Sequence, residues 1–132
     1  KMSDGHIHYN KGRLEDTSLG LVQAKAKHFK VESYITFVKG FFQDTLRETI
    51  GPDKKFCLVV IDPDQYSGTK CCLEFFYPKV VKGGIIIVDD YFIPRVSELD
   101  TPGVKIAVDE FFAGKPEKPL HLADSMYYLI KQ

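Results

Sequence analysis

The stretch FCLVVIDPDQYSGT, residues 56 to 69, decides how this chain is read. Phe56 to Ile61 are apolar without interruption, and the run ends in two acids one residue apart, Asp62 and Asp64. A strand apolar on both sides suits a parallel sheet covered by helices on each face. The residues after it predict a helix from about Ser67 to Tyr77, with Thr69, Cys72, Leu73 and Phe76 as its inner stripe. A second buried run, IIIVDDYF at 85 to 92, also ends in paired acids, Asp89 and Asp90. Ligands bind beyond the carboxyl ends of strands in open parallel sheets. If the two strands are neighbours, four carboxylates converge there. Like charges raise one another's pKa, and an oxygen-seeking divalent cation such as magnesium or calcium relieves that conflict. The plainer reading is that aspartates begin loops because their side chains bond turn backbone. That suffices for one acid after one strand; the repetition sets a metal site level with it.

Upstream, DTSLGLVQAKAKHF offers Thr17 or Ser18 as a helix cap, with Val22, Ala26 and Phe29 on the apolar face. YITFV at 34 to 38 reads as a strand ended by Gly40, and FFQDTLRETI as a short helix after it. Downstream, Pro78 and the pair Gly83 and Gly84 are expected to break the chain. A helix capped by Thr101, with Pro102 in its first turn, would bury Val104, Ala107, Val108 and Phe111. AGKPEKP is a loop, and LHLADSMYYLIK a closing hairpin. Strand and helix alternate, which implies an α/β fold with a parallel sheet.

The 132 residues suit one domain, and an apolar fraction of 44% supplies a core. Eighteen basic residues balance eighteen acidic ones, so charge points to neither nucleic acid nor an anionic membrane. Lys25, Lys27 and Lys30 form a charged helix face without the aromatics of a nucleic-acid surface. No apolar run has the length of a membrane span. Cys57, Cys71 and Cys72 give no disulfide framework, and reduced thiols suggest a cytoplasmic setting. The opening KMSDGHIHYN, with Met in second place, reads as a junction or an internal start. Its His6 and His8 form an HxH pair without a third ligand; His28 is expected in solvent, and His121 lacks an acidic partner. Ser67 and Lys70 match an S-x-x-K string whose companion motifs are absent. A DxD string also occurs in haloacid dehalogenase-like phosphatases, but Tyr66 stands where they carry Thr or Val. It occurs in nucleotide-sugar glycosyltransferases too, whose surrounding pattern is not found here.

The extended pattern is more specific. IDPDQYSGTKCCLEFFYPKVVKGGIIIVDDYF followed by PGVKIAVDEFF resembles the macrocin O-methyltransferase-like family, class I S-adenosylmethionine-dependent methyltransferases that need a divalent metal. DTSLGLVQAKAKHF and ITFVKGFFQDTL match family segments upstream, so the resemblance runs from about Asp16 to the end. It implies a Rossmann-like sheet and one partial methyltransferase domain over residues 1 to 132. The strand and glycine-rich loop that hold the cofactor, and the strand carrying a ribose-binding acid, lie outside it. Residues 34 to 38 would then be a central strand with an unpaired edge, which invites association or a homo-oligomer.

The resemblance further implies Asp62, Asp89 and Asp90 as metal ligands and Asp64 as the general base. Gly40 and Phe41 would meet the adenine of S-adenosylmethionine, with Gly40 ending a strand and Phe41 in the core as the simpler reading. Tyr66 and Tyr91 are candidates for the acceptor pocket. The implied activity is metal-dependent O-methylation of a small hydroxylated molecule, a sugar or a phenolic. A non-catalytic binding or assembly module derived from such an enzyme is the alternative, and a metal-dependent phosphotransfer enzyme a weaker one. Two positions depart from the family pattern beside the acids: Pro63 replaces the usual Gly, and Gly68 the usual Ser.

Overall fold

Strands β1 (Phe56–Ile61) and β2 (Val80–Val88) lie side by side and parallel, joined by helix α3 (Tyr66–Phe76). The computed structural model describes residues 17–92 and 102–132. After helix α4 (Pro102–Phe112), strands β3 (Leu120–Ala123) and β4 (Met126–Ile130) form the closing hairpin, and β4 pairs antiparallel with β2. The sheet order is β1-β2-β4-β3. Helices α1 (Leu19–His28) and α2 (Phe42–Thr49) precede the sheet. No helix among the described residues is long and apolar enough to cross a membrane.

One face of the sheet is packed. Val59, Ile61, Ile86, Val88 and Leu129 meet Cys72 and Leu73 of α3 and Val104, Val108 and Phe112 of α4 in a single core. Thr69, Cys72 and Leu73 are buried as the helical stripe requires, while Phe76 is half-buried. On α4 the deepest residues are Val104, Ala107 and Val108, and Phe112 is buried more fully than Phe111.

The other face corrects the expectation of a sheet covered on both sides. The register sets Leu58 opposite Ile85, and Ile85 opposite Ile130; the next row holds Val60, Ile87, Tyr128 and Leu120. Directly paired residues share a face. Leu58 and Val60 are 50% and 60% exposed, and Ile85, Leu120 and Ile130 are exposed as well. A continuous apolar surface thus crosses all four strands with no helix over it among the described residues.

Residues 34 to 38 do not form the expected strand. A 3-10 turn occupies Glu32–Tyr34, and Ile35 after it is extended at φ −116° and ψ 128°, but the stretch joins no ladder. Tyr34, Ile35 and Val38 stay exposed. The β-branched and aromatic residues set the local conformation. A strand is stabilised by packing against cross-strand and same-face neighbours, and among the described residues none pairs with or covers this segment. The same cause corrects the reading of α1. Ser18 caps it, accepting from the Leu21 amide at 3.2 Å, yet of the predicted face only Ala26 is buried; Val22 and Phe29 are exposed.

Gly83 and Gly84 do not end an element either; they lie inside β2. Between the pairs Phe56–Val80 and Leu58–Ile85 the register shifts, so β2 bulges there. Gly83 has φ +79°, and a Cβ on Gly84 would stand 2.7 Å from Val80 and 3.1 Å from the Cys57 carbonyl. The two glycines let the bulge form, and their backbone exchanges hydrogen bonds of 2.8 and 2.9 Å with Lys131 at the end of β4.

The loop before β3 contains a buried acid that its sequence did not reveal. Glu117 accepts from the Tyr77 hydroxyl at 2.9 Å and the Gln132 amide at 3.1 Å, with Lys131 Nζ at 3.5 Å. Burial pushes its pKa up, but these hydrogen bonds and Lys131 outweigh that and hold it below the usual value. Its contribution is present above the ordinary glutamate pKa and is lost as pH falls through the lowered one. Glu117→Ala should cost about 2 kcal/mol, since it removes a buried acceptor and leaves the half-buried Tyr77 hydroxyl unpaired; urea unfolding at neutral pH checks this.

Candidate active site

Ile61 and Val88 are register partners, so Asp62 and Asp89 leave neighbouring parallel strands at the same level. The Asp89 amide extends the ladder by one bond, donating to the Ile61 carbonyl at 3.0 Å. The second acid of each pair then takes a left-handed backbone: Asp64 has φ +59° and Asp90 φ +54°. Aspartate is among the few non-glycine residues found there with any frequency, and such strained positions cluster at functional sites. The two turns carry Asp62, Asp64 and Asp90 together, each offering a carboxylate oxygen within 4.8 Å of the others.

The crowding has an electrostatic cost. The Asp90 carboxyl is pushed up to about 7, first by burial, then by a hydrogen bond with Asp64 and the charges of Asp89, Asp64 and Asp62. Asp62 is raised too, by burial and then by Asp89 and Asp64. Asp89 sits differently. Its Oδ1 accepts from the Asp90 amide at 2.8 Å and from Ser125 Oγ at 2.5 Å, across in the β3–β4 turn. The sequence supplies the four acids, but only the fold separates three that face one another from one held by a serine.

The two tyrosines beside the acids bond to α4. The Tyr66 hydroxyl donates to Glu110 at 2.6 Å, with Lys70 Nζ 3.2 Å away, and the Tyr91 hydroxyl donates to Asp109 at 2.7 Å. Lys105 pairs with Asp109 and lies over the Tyr91 ring, which also packs on Tyr127 at 4.6 Å. Gly103 allows this approach, because a Cβ there would stand 2.9 Å from the Tyr66 amide nitrogen. Helix α4 is thereby tied to both acid turns.

Gly40 and Phe41 stand at the start of α2. Gly40 has φ +148°, and a Cβ on it would lie 2.5 Å from the Thr45 side chain. It lines a groove of about 500 Å³ with Tyr34, Thr36, Val38, Thr45 and Phe56 among its walls. Phe41 is 73% exposed, so it is not a core residue. His28 is exposed as expected, while His121 bonds a backbone carbonyl, that of Asp124, at 3.2 Å. His6, His8 and Thr101 lie outside the described residues.

The substitutions at 63 and 68 prove to be neighbours. A Cβ on Gly68 would stand 2.7 Å from Pro63 Cβ and 3.2 Å from Pro63 Cγ. The proline ring fills the space that a serine at 68 would need, so one departure accommodates the other. Gly68→Ser alone should cost about 1–3 kcal/mol by overpacking. Joined to Pro63→Gly it should cost much less, and a four-member cycle of thermal melts measures the coupling.

A sheet with two parallel strands, a helical crossover and a closing antiparallel hairpin is a Rossmann-like α/β sheet. The structure of the O-methyltransferase NovP aligns with a TM-score of 0.75 at 24% identity, covering 98% of this chain and 55% of that one. CalS11, a TDP-rhamnose 3'-O-methyltransferase, aligns at 0.64 and 23%, covering 85% and 49%. The macrocin-O-methyltransferase (TylF) family model matches residues 3–126, and the chain belongs to that family. Mycinamicin III 3''-O-methyltransferase of Micromonospora griseorubida is 32% identical over 91 residues, 68% of this chain and 35% of that protein. Demethyldecarbamoylnovobiocin O-methyltransferase of Streptomyces niveus is 36% identical over 83 residues, 63% of this chain and 28% of that protein. The chain thus spans about a third of these curated relatives and about half of the aligned structures.

Proposed function

We propose that these residues form the metal- and acceptor-binding part of an S-adenosylmethionine-dependent O-methyltransferase acting on a hydroxyl of a small molecule. The observation that carries this reading is the convergence of Asp62, Asp64 and Asp90 at the carboxyl ends of β1 and β2 in a chain of this family. The donor set fits a hard divalent cation such as Mg2+: all are carboxylate oxygens, and burial with the neighbouring acids raises the proton affinity of Asp62 and Asp90 when no cation balances the charge. Asp62 and Asp90, with Asp89 beside them, would hold the metal, which supplies charge to stabilise an ionised acceptor oxygen. Asp64 would take the acceptor's hydroxyl proton on its carboxylate. S-adenosylmethionine, when bound, supplies the electrophilic methyl group. Gly40 permits close backbone approach at the lip of the α2 groove, and the exposed Phe41 ring offers a flat surface for adenine. Tyr66 and Tyr91, held by their bonds to α4, would form a wall beside the acceptor.

A sugar hydroxyl is the favoured acceptor, with a phenolic second. Among the matching proteins, one is named for TDP-rhamnose and another for a rhamnosyl tetracenomycin. The free thiols of Cys57, Cys71 and Cys72 fit a reducing, cytoplasmic setting. Chelation tests the central point. Methyl transfer by the complete enzyme should stop when divalent metal is removed and return with Mg2+; unchanged turnover after full chelation overturns the metal-dependent reading.

A further inference from the structure

Ser125 belongs to no motif picked out in the sequence, yet it makes the contact that distinguishes Asp89 from the other three acids. The turn that delivers it is built in steps. Asp124 takes a left-handed backbone at φ +46°, and its carbonyl accepts from His121 Nε2 at 3.2 Å. His121 in turn packs against Tyr127, which is paired with Val88 immediately before the acid pair. The register of β4 on β2 therefore fixes where the turn lies, and Ser125 Oγ reaches Asp89 Oδ1 at 2.5 Å. The same oxygen accepts from the Asp90 amide, so two donors restrain one carboxylate oxygen.

We propose that Ser125 is a positioning residue for the acid site: it fixes the Asp89 carboxylate and so sets the site's affinity for a divalent cation. This rests on the metal-dependent reading above. The charge of Asp89 acts on both Asp62 and Asp90. With one oxygen held by Ser125, rotation of the carboxylate is restricted, and the other oxygen keeps a defined direction. A group one bond removed from a metal in this way typically changes affinity by about 10- to 100-fold when lost. The hairpin, far from the acids in sequence, thereby becomes part of the site.

The test compares Ser125→Ala and Ser125→Thr with the unmodified protein by two measurements. The first is Mn2+ binding by calorimetry. The second is hydrogen exchange at the Asp90 amide without metal, with the β2 amides paired to β4 as the control. Ser125→Ala should weaken Mn2+ binding about 10-fold and speed exchange at Asp90 while the control amides keep their protection. Ser125→Thr, which retains the hydroxyl, should restore both. Unweakened Mn2+ binding by Ser125→Ala overturns the proposal, as does a threonine variant no better than alanine. If the unmodified protein itself takes up no Mn2+, the metal reading fails, and unchanged exchange at Asp90 then removes the positioning role as well.

Discussion

Asp90→Asn should have opposite effects on stability and on catalysis. In the metal-free chain the Asp90 carboxyl is raised to about 7 from its ordinary 3.8. The folded state therefore holds a proton that the unfolded state releases across this interval. Stability from this group is full below the ordinary value, declines as pH rises through the window, and levels off above the raised value. Asparagine cannot ionise, so the variant's melting temperature should lose that slope and exceed the parent's at pH 8 without metal. Added Mg2+ should narrow the gap by stabilising the parent, because the cation balances the charges that repel. Methyl transfer by the complete enzyme should fall at least ~100-fold, more than the usual loss for a group one bond away from a metal. Melting curves over pH 4 to 8 and initial rates check the two halves. A variant melting below the parent at pH 8 would show that Asp90 is a stabilising structural acid. A variant with full activity would remove it from the site.

The second large effect concerns the uncovered face of the sheet. The row of Leu58, Ile85 and Ile130 and the row of Val60, Ile87, Tyr128 and Leu120 present apolar side chains across every strand. Contiguous patches of this kind are rare on monomeric proteins. Strand β1 adds an unpaired row of backbone groups, because it is an edge of the sheet among the described residues. A polypeptide of these 132 residues alone should therefore sediment as a dimer or larger species. Leu58→Lys with Val60→Lys should shift it toward monomer without lowering its melting temperature. Both side chains are already half or more exposed, so the substitutions leave the α3–α4 core untouched. A parent chain that sediments as a monodisperse monomer would mean that the face tolerates water.

These effects also mark where sequence reading stopped. The uninterrupted apolar run FCLVVI and the helical stripe Thr69, Cys72 and Leu73 were enough to place β1 and α3, because each carries its partner's requirement in its own pattern. YITFV carries the same kind of pattern, yet Tyr34 closes a 3-10 turn and the stretch joins no ladder, because a ladder needs a neighbour and a covering layer that a local pattern cannot supply. The Gly83–Gly84 pair shows the converse: turn residues became a bulge inside a strand once β1 and β4 paired on either side of it.

The site divides in the same way. Residue type and position after a strand were enough to single out Asp62, Asp64, Asp89 and Asp90, since ladder register brings the ends of adjacent parallel strands to one edge. Which acids face one another was decided by the left-handed turns at Asp64 and Asp90 and by a serine 36 residues along the chain from Asp89. Glu117, the fit of Pro63 against Gly68, and the bonds from Tyr66 and Tyr91 to α4 are likewise contacts between residues distant in sequence or across a turn. Sequence by itself determined which side chains carry charge and which elements they terminate, because those follow from local periodicity and chemistry. Only the tertiary structure decided their partners, because a partner is set by the packing and register of separate elements.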